Sequence, residues 1–138
     1  MEYFELLEHT ADIRILAKGD NRRSLFTAAL KGLCEVMKPG YKDVSDESGP
    51  GYEFKLDSVD ISALLIDFLA EALSIMQTYN VLLPGVKFEN IDNHSVSGKF
   101  QGFPVRAFDE DVKAVTYHEA EVVRNDKNDF EAIIVLDL

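Results

Sequence analysis

The stretch "AIIVLDL", residues 132–138, is an almost unbroken apolar run of strand length that ends in an aspartate. Such a run suits a strand buried on both faces, hence one in the middle of a sheet. Asp137 then falls where the strand leaves the core, because a charge is placed cheaply only at a rim. A second aspartate stands in a similar setting: in "LEHTADIRI", residues 7–15, Asp12 opens another strand pattern.

Working outward, residues 3–7 and 12–18 are expected to be extended, with Ile13, Ile15 and Ala17 alternating against Arg14, Leu16 and Lys18. Gly19 closes this strand pair. Asn21 is the expected N-cap of a helix whose Leu25, Phe26, Ala29, Leu30, Leu33 and Met37 recur at three-and-four spacing and which stops before Pro39-Gly40. Residues 41–51 combine acids, serines and turn formers and form a connection. Tyr52, Phe54 and Leu56 alternate as in a half-buried strand, and Ser58 is the expected cap of a second helix with Ile61, Leu64, Leu65, Phe68, Leu69, Ala72, Leu73 and Met76 on its apolar face.

After Pro84-Gly85 the period changes, with extended stretches at 86–91, 96–103, 112–121 and 130–136, punctuated by Asn93 and Gly102 and by a polar hairpin connection at 124–129. The order is β-β-α-β-α followed by several strands. Short turns between the late strands predict an α+β fold, two helices packed on a largely antiparallel or mixed β-sheet. One domain spanning 1–138 is expected from the length and from a hydrophobic content of 46%.

Charge narrows the function. The 14 basic against 25 acidic residues give a net charge of −11, which repels a phosphate backbone and argues against strong direct nucleic-acid binding. Cys34 is the only cysteine, so the chain forms no internal disulfide and no thiolate-rich zinc site, and a cytoplasmic location is expected. No basic leader precedes an apolar segment, and no run approaches the roughly 18 apolar residues of a membrane span.

Asp137, the terminal carboxylate of Leu138 and Asp12 offer oxygen donors that suit a hard divalent cation, calcium or magnesium. The plainer role of either aspartate alone is to turn or cap the chain. His9, His94 and His118 lack zinc-ligand spacing, although His9 in "EHTAD" could orient the neighbouring aspartate. Glu71, on the flank of the second helix, could add an oxygen, and is otherwise a solvated helix edge. Lys113 shares one side of its strand with Val115 and Tyr117, opposite Ala114, Thr116 and His118; by itself it reads as a charge that protects a strand edge. Cys34 lies on the apolar stripe of the first helix as an inert thiol, and neither a "GxSxG" elbow nor a phosphate-cradling glycine loop is present.

Taken together, "EHTADIRI", the helical "LLIDFLAEAL" at 64–73, "VKAVTYHEAEV" at 112–122 and the closing "IIVLDL" resemble the archease family. Archeases act with the RtcB-type RNA-splicing ligase, which joins RNA ends using GTP and divalent metal. The resemblance implies a non-enzymatic cofactor that promotes guanylylation and multiple turnover of that ligase. By motif position it implies that Asp12 and Asp137 bind metal, with Leu138 as an addition, and that Lys113 is functional. The family often carries tryptophan where this chain has Phe68 and Phe130, changes that keep an aromatic core residue. Two other readings compete: a metal-dependent hydrolase or nucleotide-processing enzyme with Glu71 or His9 as base, and a general chaperone or interaction module that needs neither aspartate.

Overall fold

A computed structural model describes residues 1–8, 12–43 and 49–138. The elements run β1 (Glu2–Glu8), β2 (Asp12–Gly19), α1 (Arg22–Met37), β3 (Tyr52–Asp57), α2 (Ile61–Tyr79), β4 (Val81–Ile91), β5 (Ser95–Pro104), β6 (Ala114–Thr116), β7 (Val123–Arg124) and β8 (Phe130–Asp137). The fold is α+β in the expected order, but its strands divide into two sheets. One has the order β1-β2-β8-β6, with β7 also paired to β8; the other is β3-β5-β4, and every pairing is antiparallel.

The apolar run at 132–138 becomes the central strand of the larger sheet. β2 lines one edge of β8 along its length, while β6 and β7 share the other. Ala132, Ile134 and Leu136 are buried toward the helices, and Val135, on the opposite face, is also buried.

Both helices lie between the two sheets. α1 packs on β1, β2 and β4, and α2 packs on β6 and on β3, β4 and β5. This explains why α2 is apolar nearly all round: Leu64, Leu65, Ile66, Phe68, Leu69, Ala72, Leu73 and Met76 are all buried. The expectation that no run reaches membrane-span character is corrected here, since Ile61–Tyr79 is 19 residues long with a mean hydropathy of 1.4, long and apolar enough by length and composition to cross a membrane. Burial between two layers accounts for that composition. At its centre Phe68 meets Phe26, Phe54, Phe88 and Phe100 at ring-centroid distances of 5.1, 5.5, 5.9 and 5.2 Å. Phe130 is buried as well, with the Arg124 guanidinium 4.0 Å from its ring centroid.

Local chemistry sets the boundaries. Asn21 caps α1 as expected, accepting from the Ser24 N–H at 2.9 Å while Ser24 Oγ accepts from the Asn21 N–H at 3.1 Å. Asp60 rather than Ser58 caps α2, its carboxylate accepting from the Ala63 N–H at 2.8 Å. Asn80 ends α2 in the left-handed region, with φ 53°, and β4 begins at once. Pro84-Gly85 therefore lies inside a strand, at a register shift between Leu82 and Gly85, where a residue without an N–H is tolerated. Gly102 also lies within a strand, β5, where a Cβ would be driven into the Leu82 carbonyl oxygen. The expected strand at 112–121 contracts to Ala114–Thr116, because the chain turns after Tyr117 and Glu119 takes a left-handed φ of 58°. The polar hairpin connection at 124–129 forms as expected, with the Asn125 N–H donating to the Asp129 carbonyl at 2.9 Å.

Candidate functional site

Asp12 and Asp137 are register partners across β2 and β8, and Ala114 of β6 pairs with Asp137 on its other side. Partners in an antiparallel ladder point to the same face. Ile15, Ala17, Ile134 and Leu136 are buried toward the helices, so Asp12, Arg14, Leu16 and Lys18 alternate onto the outer face, as do Asp137, Val135, Ile133 and Glu131. The two carboxylates thus share the outer face at one end of the sheet. Like charges placed opposite each other destabilise a sheet unless a cation sits between or beside them.

One cation is built in. Arg14 Nε lies 3.6 Å from Asp12 Oδ1, and Arg14 Nη1 pairs with the Glu119 carboxylate. The arginine and Asp12 side chains are each 22% exposed, so this pairing is partly withdrawn from water. Val135, the register partner of Arg14, is only 3% exposed although it faces outward.

Lys113 is tied to the same strand by its backbone, its N–H donating to the Asp137 carbonyl at 2.8 Å. Its side chain follows the pleat to the other face, exposed beside Ser74, Gln77 and Thr78 of α2. Tyr117 is on that side too, its hydroxyl donating to the Asp67 carboxylate of α2, which raises the phenol above its ordinary pKa. Glu71 is half-buried on α2, and the sheet separates it from the aspartates. Leu138 directly follows Asp137 and packs against the core. His9 lies outside the described residues. His94 and His118 are exposed in separate turns, and Cys34 is fully buried, which pushes its thiol pKa up.

Among the described residues, no group of three or more His, Cys, Asp and Glu side chains is placed to hold a metal ion. The donors that the register pairing brings to one face of the rim are the Asp12 and Asp137 carboxylates. This set is chemically suited to a hard cation that keeps several waters. Arg14 and Glu119 were not singled out by sequence reasoning. Alternation along β2 does place Arg14 on the face of Asp12, whereas the approach of Glu119 depends on the turn after β6.

The model of the Archease protein family (MTH1598/TM1083) matches residues 4–138. The chain is 33% identical to Protein archease of Sulfurisphaera tokodaii over all of both chains. It is 27% identical to Protein archease of Methanosarcina barkeri, over 98% of this chain and 95% of that one. Among solved structures, it resembles the solution structure of Methanobacterium thermoautotrophicum protein 1598 with a TM-score of 0.75 and 28% identity, covering 98% of both chains. It shares its fold with the Thermotoga maritima protein described as an archease and possible chaperone, with a TM-score of 0.67 and 18% identity over 96% of this chain and 94% of that one.

Proposed function

The chain belongs to the archease family, and on that premise we propose that it is an accessory protein of an RtcB-type RNA ligase, promoting guanylylation and repeated turnover of the ligase without joining RNA itself. The observation that carries the reading is the register pairing of Asp12 with Asp137, which puts both carboxylates on one face of the sheet. In this proposal the two carboxylates, with a main-chain oxygen of Leu138, hold calcium or magnesium. When bound, the ion supplies concentrated positive charge at a rim that is otherwise acidic.

The protein's own residues do the remainder. Antiparallel register fixes the spacing of the carboxylates, and β8, buried at the sheet centre, holds that register rigidly. Lys113 presents its ammonium on the opposite face, available to an acidic group of the ligase or to a phosphate of GTP or of the guanylylated intermediate. A net charge of −11 favours docking on a basic protein surface over independent RNA binding. A cytoplasmic site of action and a single domain belong to the same proposal.

Multiple-turnover RNA ligation by the ligase of the same organism tests it, with and without the wild-type protein and with folded Asp12→Ala and Asp137→Ala variants. Acceleration by wild type alone supports the reading. Equal acceleration by the variants removes the aspartates from the mechanism and favours a general interaction module. Loss of any effect, together with metal-dependent hydrolysis by the isolated protein, favours a hydrolase.

A further inference from the structure

Arg14 touches both the aspartate rim and the turn that follows β6. Its fork-shaped guanidinium can serve two carboxylates at once. Nη1 pairs with the Glu119 carboxylate, while Nε to Asp12 Oδ1, at 3.6 Å, is an ion pair too long for a hydrogen bond. The charge is therefore shared between two carboxylates, in a place where partial burial makes the sharing matter more than on an open surface.

Among the described residues, the turn is attached to α2 and to β2 by three side-chain contacts. The Tyr117 hydroxyl donates to Asp67 of α2, the Val122 N–H donates to Ser62 Oγ of α2 at 2.9 Å, and Glu119 reaches across the sheet edge to Arg14. Two of these hold the helix side of the sheet, and the third holds the outer face. Glu119 is a non-glycine residue at φ 58°, a conformation that needs support from its surroundings. Arg14 supplies that support while also facing Asp12.

We propose that Arg14 is a positioning residue that couples the charge of Asp12 to the conformation of residues 117–122. When the negative charge of Asp12 is removed or engaged by a cation, the guanidinium shifts its full attraction to Glu119 and tightens the turn. Occupation of the rim is thereby registered at the sheet edge beside α2, where a partner could sense it. The cation half of this inference rests on the proposed metal-binding role of the aspartates; the coupling itself does not.

Amide hydrogen exchange at Ala120, Glu121 and Val122, followed by NMR in the whole protein, tests it. The Ala120 and Glu121 N–H groups donate to the Tyr117 and Glu119 carbonyls at 3.2 and 2.9 Å, so they report the turn directly. Asp12→Asn, which keeps the shape and removes the charge, is expected to slow these amides by about threefold to tenfold, while Arg14→Met speeds them by a similar factor. In an Arg14→Met background Asp12→Asn has no further effect. Calcium or magnesium ions alone, added to wild type, slow the same amides. If Asp12→Asn leaves the turn unchanged, or acts equally without Arg14, the coupling is overturned. If Asp12→Asn slows exchange and neither ion does, the coupling stands and the cation-binding role fails.

Discussion

Lys113 and Asp137 are joined through their backbones, N–H to carbonyl at 2.8 Å, while their side chains leave opposite faces of the sheet. They are backbone neighbours, just before β6 begins, without being neighbours in chemistry. Calorimetric titration with calcium or magnesium should separate them. Asp12→Ala and Asp137→Ala each weaken binding by at least about tenfold, and Lys113→Ala leaves it unchanged. A loss of affinity in Lys113→Ala would place its ammonium on the rim side after all.

Phe68 carries the packing between the sheets. It is fully buried against four other aromatic rings, so truncation leaves a cavity that surrounding side chains can only partly fill. Phe68→Ala should cost about 3–5 kcal/mol in urea unfolding. A cost below about 1 kcal/mol would mean that the cluster repacks freely.

The start of α2 can be tested by paired substitutions. Asp60→Ala removes the acceptor for the Ala63 N–H and should cost about 1 kcal/mol. Ser58→Ala should stay within about 0.5 kcal/mol, since its side chain is not the cap. Thermal melts of the two variants side by side distinguish the capping residue.

Gly102 permits close approach of β5 to β4. A methyl group there meets the Leu82 carbonyl oxygen, which cannot move without disturbing the strand pairing. Gly102→Ala should lower the urea midpoint, by about 1–3 kcal/mol in stability. Preserved stability would require the register shift at Leu82 to relax.

Tyr117 gives the fold a pH dependence in the alkaline range. Its hydroxyl donates to the Asp67 carboxylate, so the neutral phenol is favoured in the folded state and the pKa rises above the ordinary 10.0. A group raised on folding contributes fully below its unfolded pKa and loses that contribution as pH rises through the folded value. Melting temperature should fall more steeply above pH 10 in wild type than in Tyr117→Phe. Matching profiles would show that the hydrogen bond is not populated in solution.

The inward and outward faces of β2 and most of the apolar faces of the two helices were legible in the sequence. Alternation set Ile13, Ile15 and Ala17 against Arg14, Leu16 and Lys18, the apolar run at 132–138 identified a central strand, and Asn21 identified the start of α1, because each signal is local. The division into two sheets was not legible, since a period of two tells which side a residue faces without naming the strand beside it. Pro84 and Gly102 looked like breaks because their usual meaning is a turn; here a bulge and a close backbone approach accommodate them. The contact of Glu119 with Arg14 depends on a left-handed residue and on long-range pairing, neither of which leaves a pattern in the chain.

The central place of β8 also orders events during synthesis. β1 and β2 can form their hairpin early, but among the described residues β6 and β7 pair only with β8, so they lack that partner until residues 130–137 emerge. The outward Leu16 and the inward Ile15 of the nascent hairpin stay unpaired on that edge meanwhile. Closure joins residues as far apart as Asp12 and Asp137, a non-local step that carries a large loop-closure cost. The aspartate rim is thus assembled only when β8 inserts, and a chain stalled before β8 carries both helices and the smaller sheet but no rim.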